Sequence, residues 1–193
     1  MMIIERIIIR YEKKKVIEKL NMISATFFSE TGNRLLDILI RCFENQQVDC
    51  PRLNIREDWS SADFKKARLF IDKLEQKPSC GNIGLDAHKV FMLEKRSFLL
   101  RLLENPNVLE HERGSGLLWA IMHLTEELEA RDKLDSLPDS DLEHISTEIQ
   151  RVYHLLATEW NFYLEYLKSQ YSYLFSLIVR THPFQEQRSA VIT

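Results

Sequence analysis

The sequence predicts an all-α protein, an elongated helical bundle with two long helices and about three shorter ones. Apolar residues recur every three or four positions from residue 141 to residue 180, with no glycine or proline until Pro183. A second stretch with helical spacing runs from residue 4 to residue 43. The 193 residues include only five glycines and five prolines, which favours long uninterrupted helices over a turn-rich β fold.

The stretch 141–180 has the clearest pattern in the chain. A helix of this length has about ten turns and spans roughly 60 Å, more than the width of a small domain. The other helices must therefore cover its apolar side. That side is predicted to contain Leu142, Ile145, Ile149, Val152, Leu156, Tyr163, Leu167, Leu174 and Ile178.

The N-terminal helix, residues 4–43, is predicted to kink near Gly32 and begins with an apolar run followed by cations. The run is shorter than the roughly 20 residues that cross a bilayer, and its charges follow it, unlike those of a signal peptide. Three interpretations stay open: a helix start packed on the bundle, an anchor lying on a membrane surface, and the remnant of a spanning segment. The run and the cations are Ile3, Ile4, Ile7, Ile8, Ile9, Arg10, Lys13, Lys14, Lys15 and Lys19.

Two shorter helices are predicted in the middle of the chain. The first begins at Ser60, whose spacing to Asp63 is typical of a capping box, and ends before Pro78. The second runs from Asp86 to about residue 104, where Asn105-Pro106-Asn107 indicates a stop. Residues 44–59 and 79–85 are predicted loops, and the polar residues 110–116 are predicted to form a mobile segment.

The third short helix, residues 117–134, is separated from the long C-terminal helix by a turn at residues 136–140. Ser140 or Asp141 is expected to cap the long helix. Because the connection is short, these two helices are predicted to be antiparallel neighbours.

The length predicts one domain, residues 1–184, with residues 1–15 as a membrane-proximal or anchor-derived start and residues 185–193 as a frayed tail. The formal net charge of −3 does not indicate nucleic-acid binding. The cysteines are odd in number and have no C-x-x-C spacing, so reduced thiols in a cytoplasmic protein are expected. They are Cys42, Cys50 and Cys80.

Histidine and carboxylate side chains are the candidates for chemistry, because helical bundles build metal sites from such residues. No histidine follows a glutamate by three positions, so the glutamate–histidine pattern of di-iron bundles is absent. His123 and Glu127 lie one turn apart at the margin of an apolar stripe. Glu159 falls between two apolar rows and must be paired, hydrogen-bonded or protonated, with His123 and Arg131 of the neighbouring helix as candidate partners.

Two interpretations of these residues stay open. In the structural one, His123 and Glu127 are hydrogen-bonded beside the core, Glu159 fixes the helix register, and no cofactor is expected. In the functional one, a transition metal is bound by His123, Glu127, Glu159 and Glu30 of the first helix. The other histidines are predicted to lie at the surface: His88, His111, His144, His154 and His182.

The end of the long helix contains aromatic residues that cover more than one face. One neighbouring helix cannot bury them all, so an exposed remainder would form a protein–protein surface or line a lipid or small-molecule site. These residues are Trp160, Phe162, Tyr163, Tyr166, Tyr171, Tyr173 and Phe175.

Six motifs are distributed over most of the chain: EKKKVIEKLNM (12–22), FFSETG (27–32), FLLRLLENP (98–106), HLTEEL (123–128), YLFSL (173–177) and RT (180–181). Together they resemble an uncharacterised prokaryotic all-helical family. The resemblance implies a membrane-spanning segment ahead of the basic stretch and brings no assigned activity. The family pattern continues after the last motif with Asn-Pro-Phe, whereas this chain has His182-Pro183-Phe184.

The sequence favours a non-catalytic, cytoplasmic interaction or regulatory domain over an enzyme. It contains no phosphate-binding loop, nucleophile elbow or H-E-x-x-H motif. A protein partner or self-association is expected, with a membrane surface as a further contact of the N-terminus and no nucleic acid. The alternative is a metal-binding bundle that acts as a redox enzyme or sensor.

Overall fold

A computed structural model describes residues 2–43, 52–75, 78, 85–185 and 187–191, and within these ranges the chain is an all-α bundle without strands, as predicted. Cys50, Cys80 and most of the predicted loops 44–59 and 79–85 lie outside the described residues. The elements are α1 (Met2–Phe27), a π-helical turn (Phe28–Gly32), α2 (Asn33–Ile40), α3 (Ser61–Ile71), α4 (Leu85–Leu103), α5 (Pro106–Leu109), α6 (Glu112–Glu129), α7 (Asp139–Gln170) and α8 (Ser172–Thr181).

Most of the other helices pack against α7, the longest helix of the described residues. Its neighbours include α1, the π-helical turn, α2, α3, α6 and α8. Ile149, Val152 and Leu156 are fully buried, and each such side chain contributes about 1.5–3 kcal/mol of burial free energy. The prediction that other helices cover the apolar side of this helix is confirmed for these residues.

The first long helix passes through a π-helical turn at the predicted kink. All of the residues around this turn keep right-handed helical backbone, so α1 continues into α2 without a break. Gly32 is required there because two aromatic rings lie against its Cα. A Cβ at this position would be 2.5 Å from Phe28 Cδ1 and 2.8 Å from Phe27 Cε1.

Replacing Gly32 with alanine is therefore expected to lower the free energy of unfolding by about 1–3 kcal/mol, as overpacked core substitutions do. The better helix propensity of alanine, about 1 kcal/mol, offsets only part of this cost. The matched control is Gly116→Ala in α6, where a Cβ meets nothing within 4 Å and a gain in stability is expected. Urea unfolding of both variants is the measurement, and equal stabilisation by both would contradict the steric explanation.

The predicted start of the third short helix at residue 117 is wrong, because residues 112–116 of the predicted mobile segment already belong to α6. Asn105 caps α5 by accepting a hydrogen bond from the Asn107 amide at 3.0 Å, and Pro106 occupies the first helical turn. His111 then caps α6, its Nδ1 accepting from the Gly114 amide at 3.1 Å. Asn-Pro was interpreted only as a helix stop, although a capping asparagine followed by proline also starts a helix.

The second long helix is interrupted at Tyr171, so residues 141–180 are not one unbroken helix. Tyr171 has φ −139° and ψ 63°, outside the helical region, and α8 begins at the next residue. After the break, Phe175 is buried and its ring centroid lies 6.4 Å from that of Phe64, whereas Leu174 is 39% exposed. The side of the chain that faces the core therefore differs from the one that an unbroken helix predicts. The sequence has no glycine or proline at this point, so the spacing alone did not reveal the break.

Two histidines that were predicted at the surface are buried. His88 is fully buried, and neither ring nitrogen has a hydrogen-bond partner in the part of the chain that the structure describes. It lies three residues after buried Leu85 and four before buried Met92, so it belongs to the core side of α4. His182 packs its ring 5.6 Å from that of Trp160. Burial lowers the pKa of each histidine to about 4.

The chain after α8 returns to α2. Arg188 Nη2 lies 2.6 Å from Asp37 Oδ1, and Arg41 binds the other oxygen of the same carboxylate at 3.1 Å. The Ser189 amide donates to the Arg180 carbonyl at 3.1 Å. These contacts join the described part of the C-terminal segment to the bundle.

We call residues 2–19 of α1 the N-terminal arm. Every side chain described between Tyr11 and Lys19 is exposed, and among the described side chains of α1 the first that is buried is Phe27. Tyr11 is 59% exposed and Ile17 is 56% exposed. Among the residues described, no helix is both long and apolar enough to cross a bilayer.

Candidate functional site

The antiparallel packing of α6 and α7, which the short connection predicted, places charged residues opposite each other. Arg131 Nη2 lies 2.6 Å from Asp141 Oδ1 at one end of the helix pair. Eighteen residues back along α6, Arg113 faces Glu159, which is eighteen residues further along α7. The partner of Glu159 is therefore Arg113, and the prediction that it is His123 or Arg131 is wrong.

The middle of this helix pair holds a network of histidine, glutamate and arginine side chains. His123 Nε2 lies 3.7 Å from both Glu127 Oε1 and Glu148 Oε2. Each of these carboxylates also binds an arginine: Arg131 Nη1 is 2.7 Å from Glu127, and Arg151 Nη1 is 2.8 Å from Glu148. The hydrogen bond from Arg131 lowers the pKa of Glu127. Guanidinium groups thus occupy carboxylate oxygens that a metal ion would need.

Of the four residues proposed as metal ligands, the structure brings together only His123 and Glu127. Glu159 pairs with Arg113, and the exposed Glu30 lies 3.8 Å from Lys95 of α4. Across the ranges that the structure describes, no three histidine, cysteine, aspartate or glutamate side chains are arranged to hold a metal ion. The metal alternative therefore has no donor set in these ranges.

A cavity of about 350 Å³ lies between α1 and the side of the bundle formed by α5, α6 and α7. Asn21 and Ser24 add polar groups from α1, and Glu159 adds a carboxylate from α7. A mostly apolar cavity with a few convergent polar groups is typical of a small-molecule site. Its apolar walls include Leu20, Ile23 and Phe27 of α1 and Leu117, Phe162 and Tyr163 of the opposite side.

Glu159 is the buried acid of this cavity, with a side chain only 13% exposed. Burial raises its pKa, and the positive charge of Arg113 opposes the shift. Arg113 Nε lies 3.0 Å from Oε1, but its N–H does not point at that oxygen, so the contact is an ion pair without a hydrogen bond. The same guanidinium is centred 3.9 Å from the Phe162 ring. Oε1 is therefore a buried acceptor without a hydrogen-bond donor among the described residues.

His111, like Arg113, is a polar residue of the cavity that the sequence analysis did not identify as part of a site. Because its Nδ1 accepts the Gly114 amide, the neutral ring carries its proton on Nε2 and can donate from there. Gly114 permits this contact, since a Cβ would lie 3.2 Å from His111 Nδ1. The antiparallel arrangement of α6 and α7 could have predicted Arg113 as the residue opposite Glu159, by counting back along α6 from the turn at residues 136–140. No local sequence motif indicates Arg113.

The sequence matches the family described as the C-terminal helical domain of the uncharacterised protein MJ1433, over residues 16–180. It is 39% identical over 191 residues to the uncharacterised protein MJ1433 of Methanocaldococcus jannaschii. That match covers 99% of this chain and 76% of the relative. No solved structure matches the chain significantly.

Proposed function

We propose a function from the premise that this chain belongs to the family of the C-terminal helical domain of MJ1433. The chain is a non-catalytic interaction domain that its N-terminal arm holds at an anionic membrane surface. The family description assigns no activity, so the proposal depends on the geometry of this chain. The observation that carries it is the exposure of the side chains described between Tyr11 and Lys19, in contrast to the packing of Ile23, Ala25 and Phe27 further along α1.

The exposed part of the arm contains apolar side chains that the bundle does not cover. Val16 is 39% exposed and Ile17 is 56% exposed, whereas Ile23 and Ala25 further along α1 pack against the core. Apolar side chains that remain uncovered on a helix are typical of a surface that contacts a partner or a lipid.

The order of residues along the arm favours a membrane as that partner. The apolar run, which contains Glu5 and Arg6, precedes the cluster of cations that begins at Arg10. This is the order found where an apolar helix leaves a lipid environment on its cationic side. Ten helical residues span about 15 Å, which is half of the roughly 30 Å hydrocarbon core. Lys15 and Lys19 are exposed beyond the run, where each lysine contributes about 1 kcal/mol of attraction to anionic headgroups.

Co-sedimentation of the full chain with vesicles tests this proposal. We expect binding to vesicles of phosphatidylcholine and phosphatidylserine, and weaker binding to phosphatidylcholine alone. The double substitution Ile4→Glu and Ile8→Glu should weaken binding at least about tenfold, because each charge costs more than 1 kcal/mol in an apolar environment. The matched control is Met22→Glu with Thr26→Glu, which puts the same charges on exposed positions of α1 outside the arm.

A chain that starts at Tyr11 should lose the binding as the double variant does. Equal binding by the full chain and this shorter chain would remove the apolar run from the explanation. Equal weakening by the control pair would show that added negative charge, and not the loss of the apolar run, accounts for the effect.

A further inference from the structure

We infer that the cavity between α1 and α5–α7 is a binding site for a small neutral amphiphile, an apolar molecule with a hydroxyl group that hydrogen-bonds Glu159. The cavity has room for about a dozen water-sized groups, which limits the ligand to a short chain or a single ring system. Ile17, at the end of the arm, also lines the cavity, but the inference does not depend on the membrane proposal.

The walls of the cavity account for the apolar part of the ligand. Leu20 and Phe27 of α1 face Leu117 of α6 and Phe162 of α7, so the ligand would contact both sides of the bundle. The π-helical turn supplies Phe28 to the same wall. Such turns occur frequently at functional sites, because they displace backbone and side chains from regular helical positions.

Glu159 accounts for the hydroxyl group. Its Oε1 is buried and lacks a hydrogen-bond donor among the described residues, and an unsatisfied buried acceptor is unfavourable. A ligand hydroxyl can donate to this oxygen when Glu159 is ionised, and it can accept from Glu159 when the acid is protonated. His111, which lines the same cavity, has an Nε2–H that is available to donate to the hydroxyl oxygen.

The charges around the cavity disfavour ionic ligands. Arg113 and Glu159 already form a pair whose charges balance. A ligand carboxylate would be placed beside Glu159, and a ligand ammonium would be placed beside Arg113, so either one would bring a like charge into a poorly solvated site. A neutral head group avoids both costs.

Titration of the full chain with n-octanol, octylammonium and octanoate, followed by heteronuclear NMR, tests this inference. We expect saturable n-octanol binding that is at least about tenfold tighter than that of either ion, because one satisfied buried hydrogen bond and an avoided like-charge contact together exceed 1.4 kcal/mol. The amide shifts should change at Ser24 and Gly114. A charged probe that binds as tightly as n-octanol, or an absence of saturable n-octanol binding, would overturn the inference.

Two pairs of variants locate the binding in the cavity. Ser24→Phe fills the cavity and should abolish n-octanol binding, whereas Thr26→Phe, on an exposed position of the same helix, should leave it unchanged. Glu159→Leu removes the acceptor and should weaken n-octanol about tenfold, whereas Glu159→Gln retains an acceptor oxygen and should bind more tightly than the leucine variant. Equal n-octanol affinity in the two Phe variants would place the binding elsewhere and overturn the assignment, even if the Glu159 variants failed to fold.

Discussion

Replacing Trp160 with alanine is expected to lower the free energy of unfolding by about 3–5 kcal/mol, the range measured for large aromatic side chains in cores. Trp160 is 1% exposed and its Nε1 donates to Asn33 Oδ1 at 3.2 Å, which joins α7 to α2. Its ring also lies 5.1 Å from that of Phe184, in the segment that follows α8. The substitution therefore removes one side chain that connects three parts of the fold.

Chemical denaturation of Trp160→Ala against a matched tryptophan variant measures this effect. Trp119 lies on α6 and is 62% exposed, so Trp119→Ala should change the free energy of unfolding by no more than about 0.5 kcal/mol. Similar losses in the two variants would contradict the central position of α7.

Acidification from pH 7 to pH 4.5 is expected to lower the free energy of unfolding by about 2–3 kcal/mol for each of His88 and His182. Burial lowers the pKa of each side chain from about 6.5 to about 4. Between these values the unfolded chain binds protons that the folded chain excludes. The stabilising contribution is therefore fully present above pH 6.5 and is lost as the pH falls towards 4.

Urea unfolding of His88→Leu at both pH values isolates one of these contributions. The variant should lose about 2–3 kcal/mol less than the parent on acidification. At pH 7 it should be about as stable, because leucine removes two ring nitrogens that lack partners among the described residues. The core variant Ile149→Val is the control, since it should lose about 1 kcal/mol at both pH values. The same acid dependence in His88→Leu and in the parent would contradict the burial explanation.

The fold was largely predictable because its strongest signal is local. Helical spacing in α7 and the scarcity of glycine and proline are sequence properties, and burial of Ile149, Val152 and Leu156 follows from the spacing. The break at Tyr171 was not predictable in this way, because it depends on how Phe175 reaches α3. The start of α6 was missed because the pattern Asn105-Pro106 can both end and begin a helix.

The candidate site was predictable only in part. The position of Glu159 between apolar rows indicated a buried acid, and its raised pKa agrees with that interpretation. The identity of its partner depends on the register of α6 against α7, which is a tertiary property that a single helix does not encode. The surface prediction for His88, which follows from its position near the start of the predicted helix, is wrong because its spacing to Leu85 and Met92 places it in the core.

Amide hydrogen exchange of the full chain, with and without anionic vesicles, tests most directly the claim that the bundle built on α7 carries an uncovered arm for a membrane surface. We expect rapid exchange in residues 2–19 of the chain alone and slow exchange at Val152 and Leu156 under both conditions. Vesicles should slow exchange in the arm and leave the bundle unchanged. An arm as protected as α7 before vesicles are added, or vesicle protection confined to the bundle, would show that the arm is not a membrane-binding element.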